Sequence, residues 1–234
     1  MTSPSPTVRA DGPAGQATES FLSMIADARF PCVGAKSALA NDAIEVREFA
    51  RLGSRCNDAP LLDALSAFAA RLDAPGGDRT LASFAAIFHG PDDTDELRFE
   101  ALLWAQLQRL HELDVRRGAR WDPQAAREPG DPRFSLSLAG RAFFVVGLHA
   151  GASRTARRFE WPVLVFNPHA QFERLRADGR FAKMQAAIRR RELALQGSIN
   201  PNLADFGDVT EARQYSGRAV PRDWTCPFRQ RSRE

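Results

Sequence analysis

Apolar and polar positions along the chain alternate with two different periods. In the first half the period is helical. Residues 18–29 place Phe21, Leu22, Ile25, Ala26 and Ala28 together with Ser23 and Asp27 turned outward, and Phe30-Pro31-Cys32 breaks the run. Residues 38–52 are expected to form a second helix, with Ala43, Val46, Phe49 and Ala50 on one face. Asp58-Ala59-Pro60 is a start signal for a third helix over 61–72, which Pro75-Gly76-Gly77-Asp78 ends. Residues 80–89 are mixed in character and close at Gly90-Pro91. The longest helix is expected over 94–117, with Leu97, Ala101, Trp104, Leu107, Leu110 and Leu113 as its core stripe.

Beyond a Pro-rich connection at 122–132 the pattern changes to short apolar runs rich in aromatic and β-branched residues. These read as buried strands, first at 134–138 and then as a pair. Phe143 to Leu148 delivers His149, and Val163 to Phe166 delivers Asn167-Pro168-His169. A helix follows over 171–195, which Gly179 can interrupt. From Gly197 onward the chain is irregular yet aromatic, which suits a functional loop better than a disordered one. The expected fold class is α+β: a small central β-sheet surrounded by helices, with a long irregular C-terminal segment. Residues 1–17 read as a disordered Ser/Pro/Gly/Ala-rich tail, 18–228 as a single domain and 229–234 as a basic tail.

Composition narrows the function classes. The chain has 234 residues with 44% hydrophobic and 26% charged, an ordinary globular balance. No apolar run approaches the roughly 20 residues a membrane helix needs, and the first residues lack the apolar core of a secretory signal. Net charge is +3 with a pI of about 9.1. The arginines at 189–191 and in the tail are not interleaved with stacking aromatics, so solvated faces are expected rather than a nucleic-acid surface. The three cysteines, Cys32, Cys56 and Cys226, form no disulfide framework and no paired metal motif, which fits a cytoplasmic protein.

His149 and His169, each at the end of a strand, are the first candidates for metal ligation. Arg154, Arg157 and Arg158 follow His149 closely and suit an anion clamp, since arginine forks match carboxylates and phosphates. His89, in a turn, and His111, on the long helix, are expected to be structural or solvated. Cys32 and Cys226, each beside proline and phenylalanine, are expected to serve as small packing groups, although a thiolate can ligate iron. Nucleotide, dinucleotide, zincin and serine-hydrolase motifs are absent.

Long stretches resemble the YqcI/YcgG family. They are Phe30-Pro31-Cys32, the run from Leu148 to Arg154 with Ala156 to Phe159, and Phe166 to His169 with Gln171 to Arg176. Further ones are Gly197 to Pro201, Asp205 to Gly207, Glu211 to Arg218, Trp224 and Cys226 to Phe228. The resemblance covers about residues 30–228 and is strongest after Arg141. Ala150 departs from it, standing where many relatives are expected to carry proline. The resemblance implies a heme-dependent N-hydroxylase, of the kind found in the guanitoxin pathway, acting on guanidine or amine nitrogens. It implies heme b iron, O2 as co-substrate, a small-molecule guanidine or amine substrate and an external electron donor, with a homodimer left open. On that basis His149 is the expected axial ligand and His169 the alternative. Arg154, Arg157 and Arg158 would clamp propionates, and Phe143, Trp161 and Phe166 would wall the macrocycle. Asp205 and Glu211 would face the guanidinium, on a segment from Ser198 to Arg218 that closes over substrate. The rival is a non-catalytic heme-binding sensor or carrier.

Overall fold

The computed structural model describes residues 13–74, 81–202 and 209–231. In chain order the elements are α1 (Pro13–Ala26), α2 (Val33–Ala40), β1 (Ile44–Phe49), α3 (Asp58–Asp73), β2 (Ser83–Phe88) and α4 (Glu96–Arg116). Then follow β3 (Leu136–Leu138), β4 (Arg141–Leu148), β5 (Val163–Pro168), α5 (His169–Ala177) and α6 (Arg180–Gln196). The strands form one sheet in the order β1-β2-β5-β4-β3. β1 and β2 are parallel, joined through α3, and the remaining pairs are antiparallel. The architecture is α+β, as expected from the sequence.

Two expectations fail at the N-terminal end. Residues 38–52 are not a helix: α2 stops at Ala40, and Ile44–Phe49 is the edge strand β1. The reason is local. Asn41-Asp42 makes a turn with Asp42 at φ 52°, a conformation asparagine and aspartate tolerate, and Ile44 and Val46 then alternate as a strand requires. Helix α1 also begins at Pro13, inside the segment read as tail.

One face of the sheet packs on α3 and α4. Phe84, Phe143, Val145 and Phe166 meet Phe68, Phe99, Leu103 and Leu107 there in a continuous core. Helix α4 starts at Asp95, whose carboxylate accepts the Arg98 N–H at 2.7 Å as an N-cap. Its buried stripe runs through Phe99, Leu103 and Leu107, while Leu97 and Ala101, expected in that stripe, are exposed. Gly147 lets this helix press on β4: a Cβ there would lie 2.6 Å from the Phe99 ring. The tail also docks on α4, where Gln108 Oε1 and His111 Nε2 accept the backbone N–H groups of Arg229 and Arg231 at 2.8 and 2.9 Å.

The other face meets α1, α2, α5 and α6. Gly179 at φ 72° separates α5 from α6 where the sequence pattern runs on as one helix. Gln171 Oε1 accepts the Ala82 N–H at 2.9 Å and fixes α5 to the start of β2. Helix α6 is held at its far end, where Gln196 accepts from Thr155 N at 2.7 Å and donates to Ser153 O at 2.9 Å. Yet of its seventeen residues only Glu192 is buried. Its apolar stripe, Phe181, Met184 and Ile188, therefore faces open space rather than the sheet.

Candidate functional site

That space is a cavity of about 340 Å³ between the sheet and the surrounding helices. This is within the size range of sites for small molecules and cofactors. Strand parity supplies its floor: Phe144, Val146 and Leu148 of β4 alternate outward from the core, as do Val165 and Asn167 of β5. Phe21 and Ile25 of α1 and the Phe181, Met184 and Ile188 stripe of α6 complete an apolar enclosure.

Glu211 reaches this wall from a short 3-10 turn, Glu211–Gln214, and is buried. Its Oε1 accepts from the Ser135 and Tyr215 hydroxyls, both at 2.7 Å. Tyr215 is itself fully buried, accepts the Leu136 N–H at 3.2 Å and lies 3.1 Å from Phe143 O. Burial raises its phenol far above the usual range and the Glu211 charge adds to that, so it stays a neutral donor. Glu211 Oε2 lies 3.7 Å from His169 Nδ1, within ion-pairing range. His169 Nε2 is 3.0 Å from Glu173 Oε1, one turn along α5. Burial works against protonation of His169, but Glu211 and Glu173 outweigh it, so its pKa is raised.

The three arginines separate. Arg157 lines the cavity, and its guanidinium donates to the carbonyls of Gly147 at 3.0 Å and Gln214 at 3.1 Å. No carboxylate of the described residues pairs with it, and burial brings its pKa down to about 10. What surface it retains opens into the cavity. Gly217, at φ +85°, carries the chain past it, where a Cβ would lie 3.3 Å from the Arg157 side chain. Arg154 is neutralised by Glu192 at 2.6 Å and held by Ser198, away from the cavity lining. Arg158 is exposed on the outer surface, with Nε donating to Ala152 O at 3.1 Å.

His149 does not reach the cavity. It follows the parity of Phe143 and Val145 and lies on the core face, stacked on Phe99 with ring centroids 4.2 Å apart. Its Nδ1 lies 3.3 Å from Thr94 O, its Nε2 is buried without a partner among the described residues, and burial lowers its pKa. Phe143 and Phe166 lie on that same core face, and Trp161 packs on Phe159 with centroids 5.6 Å apart. None of the three walls the cavity. Asp205 lies outside the described residues, as does the middle of the 198–218 segment. The described parts of that segment bring Asn200, Glu211 and Gln214 to the cavity.

Cys32 is the group that sequence reading set aside. It caps α2, its Sγ accepting the Ala35 N–H at 3.4 Å, and it lines the cavity. Burial pushes its thiol up. Cys226, by contrast, is packed in the α4 core and pushed up to about 12. Phe30-Pro31-Cys32 ahead of a helix was the visible signal, but the packing of α1 and α6 around it was not. Among the described residues no group of three or more His, Cys, Asp and Glu side chains gathers as a metal cluster, and no helix is long and apolar enough to cross a membrane.

A family model described as the YqcI/YcgG family matches residues 21–229. Neither a curated protein nor a solved structure matches the chain.

Proposed function

The chain belongs to the YqcI/YcgG family, and from the chemistry of its cavity we propose that it is a heme-dependent oxygenase that hydroxylates a guanidine or amine nitrogen of a small molecule. The observation that carries this reading is an apolar cavity lined by Glu211, a fixed carboxylate with no arginine or lysine partner among the described residues, and by Arg157, a half-buried cation with no carboxylate partner among them. The other buried carboxylate on the wall, Glu192, is neutralised by Arg154.

The residues present fit a heme. The aromatic and aliphatic walls suit a flat apolar macrocycle, and Arg157 suits an acidic edge group. For the iron, the geometry favours Cys32 over both histidines. His149 lies behind the sheet, and both ring nitrogens of His169 face carboxylates. The Cys32 sulfur faces the cavity and takes a backbone N–H at a helix start, an arrangement that favours a thiolate once a cation is bound. A bound heme supplies oxygen activation, and the external reductant supplies electrons.

The chain's own residues supply recognition and dryness. Glu211 is held by two hydroxyls through Oε1, and its Oε2, which faces His169 Nδ1 at 3.7 Å, has a further lone pair to accept from a guanidinium or ammonium group. The apolar walls exclude water and so strengthen that contact. A charge-assisted contact of this kind contributes on the order of 1.5–3 kcal/mol, so Glu211→Gln is expected to weaken guanidine binding roughly 10- to 150-fold.

The test is spectroscopic. The chain expressed with a heme precursor is expected to show a Soret band, and its reduced carbonyl form the long-wavelength band of thiolate ligation. Cys32→Ser should lose that band, while His149→Ala should keep it. A carbonyl spectrum without the band moves the iron to an imidazole. Absence of any Soret band removes the heme reading altogether.

A further inference from the structure

The polar corner of the cavity holds three titratable groups in contact one after another. Glu211 and His169 are buried and both line the cavity, and Glu173, beyond His169, reaches the surface. Their side chains are 10%, 7% and 43% exposed. The imidazole is oriented so that each nitrogen serves a different carboxylate: Nδ1 lies 3.7 Å from Glu211 Oε2 and Nε2 lies 3.0 Å from Glu173 Oε1. Among the described residues the charged groups facing His169 are Glu173 and Arg176 from α5 and Glu211 from the C-terminal turn. Arg176 Nη1 lies 2.5 Å from Glu173 Oε1 and keeps that carboxylate in place.

We infer that this line is a proton path from solvent into the cavity, with His169 as the shuttle. Glu173 collects a proton from water and passes it to Nε2, while the Nδ1 proton passes to Glu211 Oε2. One proton enters the ring and one leaves it, no electrons move, and rotation of the ring restores the starting tautomer. The 3.7 Å gap is longer than a hydrogen bond, as such contacts often are before a ligand closes the site. The hydroxyls of Ser135 and Tyr215 hold Glu211 Oε1, so Oε2 is the oxygen left to take and release the proton.

The need for such a path rests on the oxygenase reading. Hydroxylation of a substrate N–H group by O2, with two electrons and two protons, gives an N–OH group and one water. The two protons must reach a cavity whose walls are mostly apolar.

The test uses the whole chain with labelled imidazoles, which is practical because there are four histidines. NMR titration should show His169 holding its proton above the ordinary histidine range, and Glu211→Gln should bring it down. The deciding readout is the rate at which the His169 ring proton exchanges with solvent. Glu173→Gln should slow it by about 100-fold, the low end of what a positioned proton-transfer group contributes, and Glu173→Asp should restore most of it. Exchange that Glu173→Gln leaves unchanged, or a His169 that titrates below the ordinary range, overturns the path. The two readings fail separately. A Soret band with ordinary His169 exchange removes the path alone, whereas the expected exchange pattern without heme binding keeps the path and removes the oxygenase.

Discussion

The two faces of the sheet carry similar residues and put them to different uses. On the α4 side Phe84, Phe143 and Phe166 are fully buried, and α4 itself buries Phe99, Leu103 and Leu107 against them. On the α6 side Phe144, Val146 and Val165 are only partly buried, and α6 offers its apolar stripe to a cavity. The larger core therefore lies on the α4 face, while the other face packs only a smaller cluster, with Phe21, Ile25, Ile87, Leu148 and Val163, and leaves the rest open. The other face gives up close contact, and the free energy that comes with it, in exchange for room. A ligand that fills that room supplies the missing contacts when it binds, so binding and stability are linked on this face alone.

The comparison can be broken most sharply by truncating neighbours on one strand. Phe166→Ala opens a hole in the α4-side core and is expected to cost about 3–5 kcal/mol in chemical denaturation. Val165→Ala, one residue away but on the cavity face, should cost only about 1 kcal/mol, since the side chain is partly buried and packs on one side only. Equal costs would mean that the cavity face is packed as tightly as the core.

Enlarging residues tests the same difference with a smaller effect. Val145→Phe on β4 overpacks the α4 core and should destabilise by about 1–3 kcal/mol. Val146→Phe extends into the cavity and should be nearly neutral for folding in the ligand-free chain, within about 0.5 kcal/mol. It should also abolish uptake of heme, read as loss of the Soret band. A folded Val146→Phe protein that still binds heme would move the ligand elsewhere.

The sequence revealed β3, β4 and β5, the long helix and the Gly179 break because period and breakers are local, but left β2 as a stretch of mixed character. It hid β1, where Ala43, Val46, Phe49 and Ala50 fit a helical face as well as a strand; the Asn41-Asp42 turn was the signal that separates the two. The site was half legible. Parity along β4 already sends His149 opposite to Phe144 and Val146, and His169 sits just past β5, whose odd positions face the cavity. Which face stays open is not local. Both faces are apolar, and the choice depends on how α6 stands off from the sheet while α1 packs on it. Cys32 was missed for the same reason, because only the packing of distant helices makes it a wall residue. The Glu211 anchor through Ser135 and Tyr215 joins residues far apart in sequence and leaves no spacing to read.

The gentlest test compares the two histidines, whose environments give opposite pH dependence. Burial on the core face lowers the pKa of His149 below the ordinary 6.5, with Thr94, Glu96 and Asp95 offsetting only part of the effect. The unfolded chain then binds that proton more readily, so His149 contributes stability above about 6.5 that is lost as pH falls. On the cavity face burial also opposes the charge of His169, but Glu211 and Glu173 prevail and the folded pKa is raised above 6.5. Its contribution is complete below the unfolded value and is lost as pH rises through the folded one. Either slope is limited to about 1.4 kcal/mol per pH unit, the value for one proton. The cost of His149→Gln, measured by denaturation from pH 5 to 8.5, should therefore grow with pH. The cost of His169→Gln should shrink with pH, and Glu211→Gln should flatten that trend. Parallel trends for the two histidines would mean that His169 lacks its carboxylate partners in solution, and that the cavity face is charged differently from what its geometry implies.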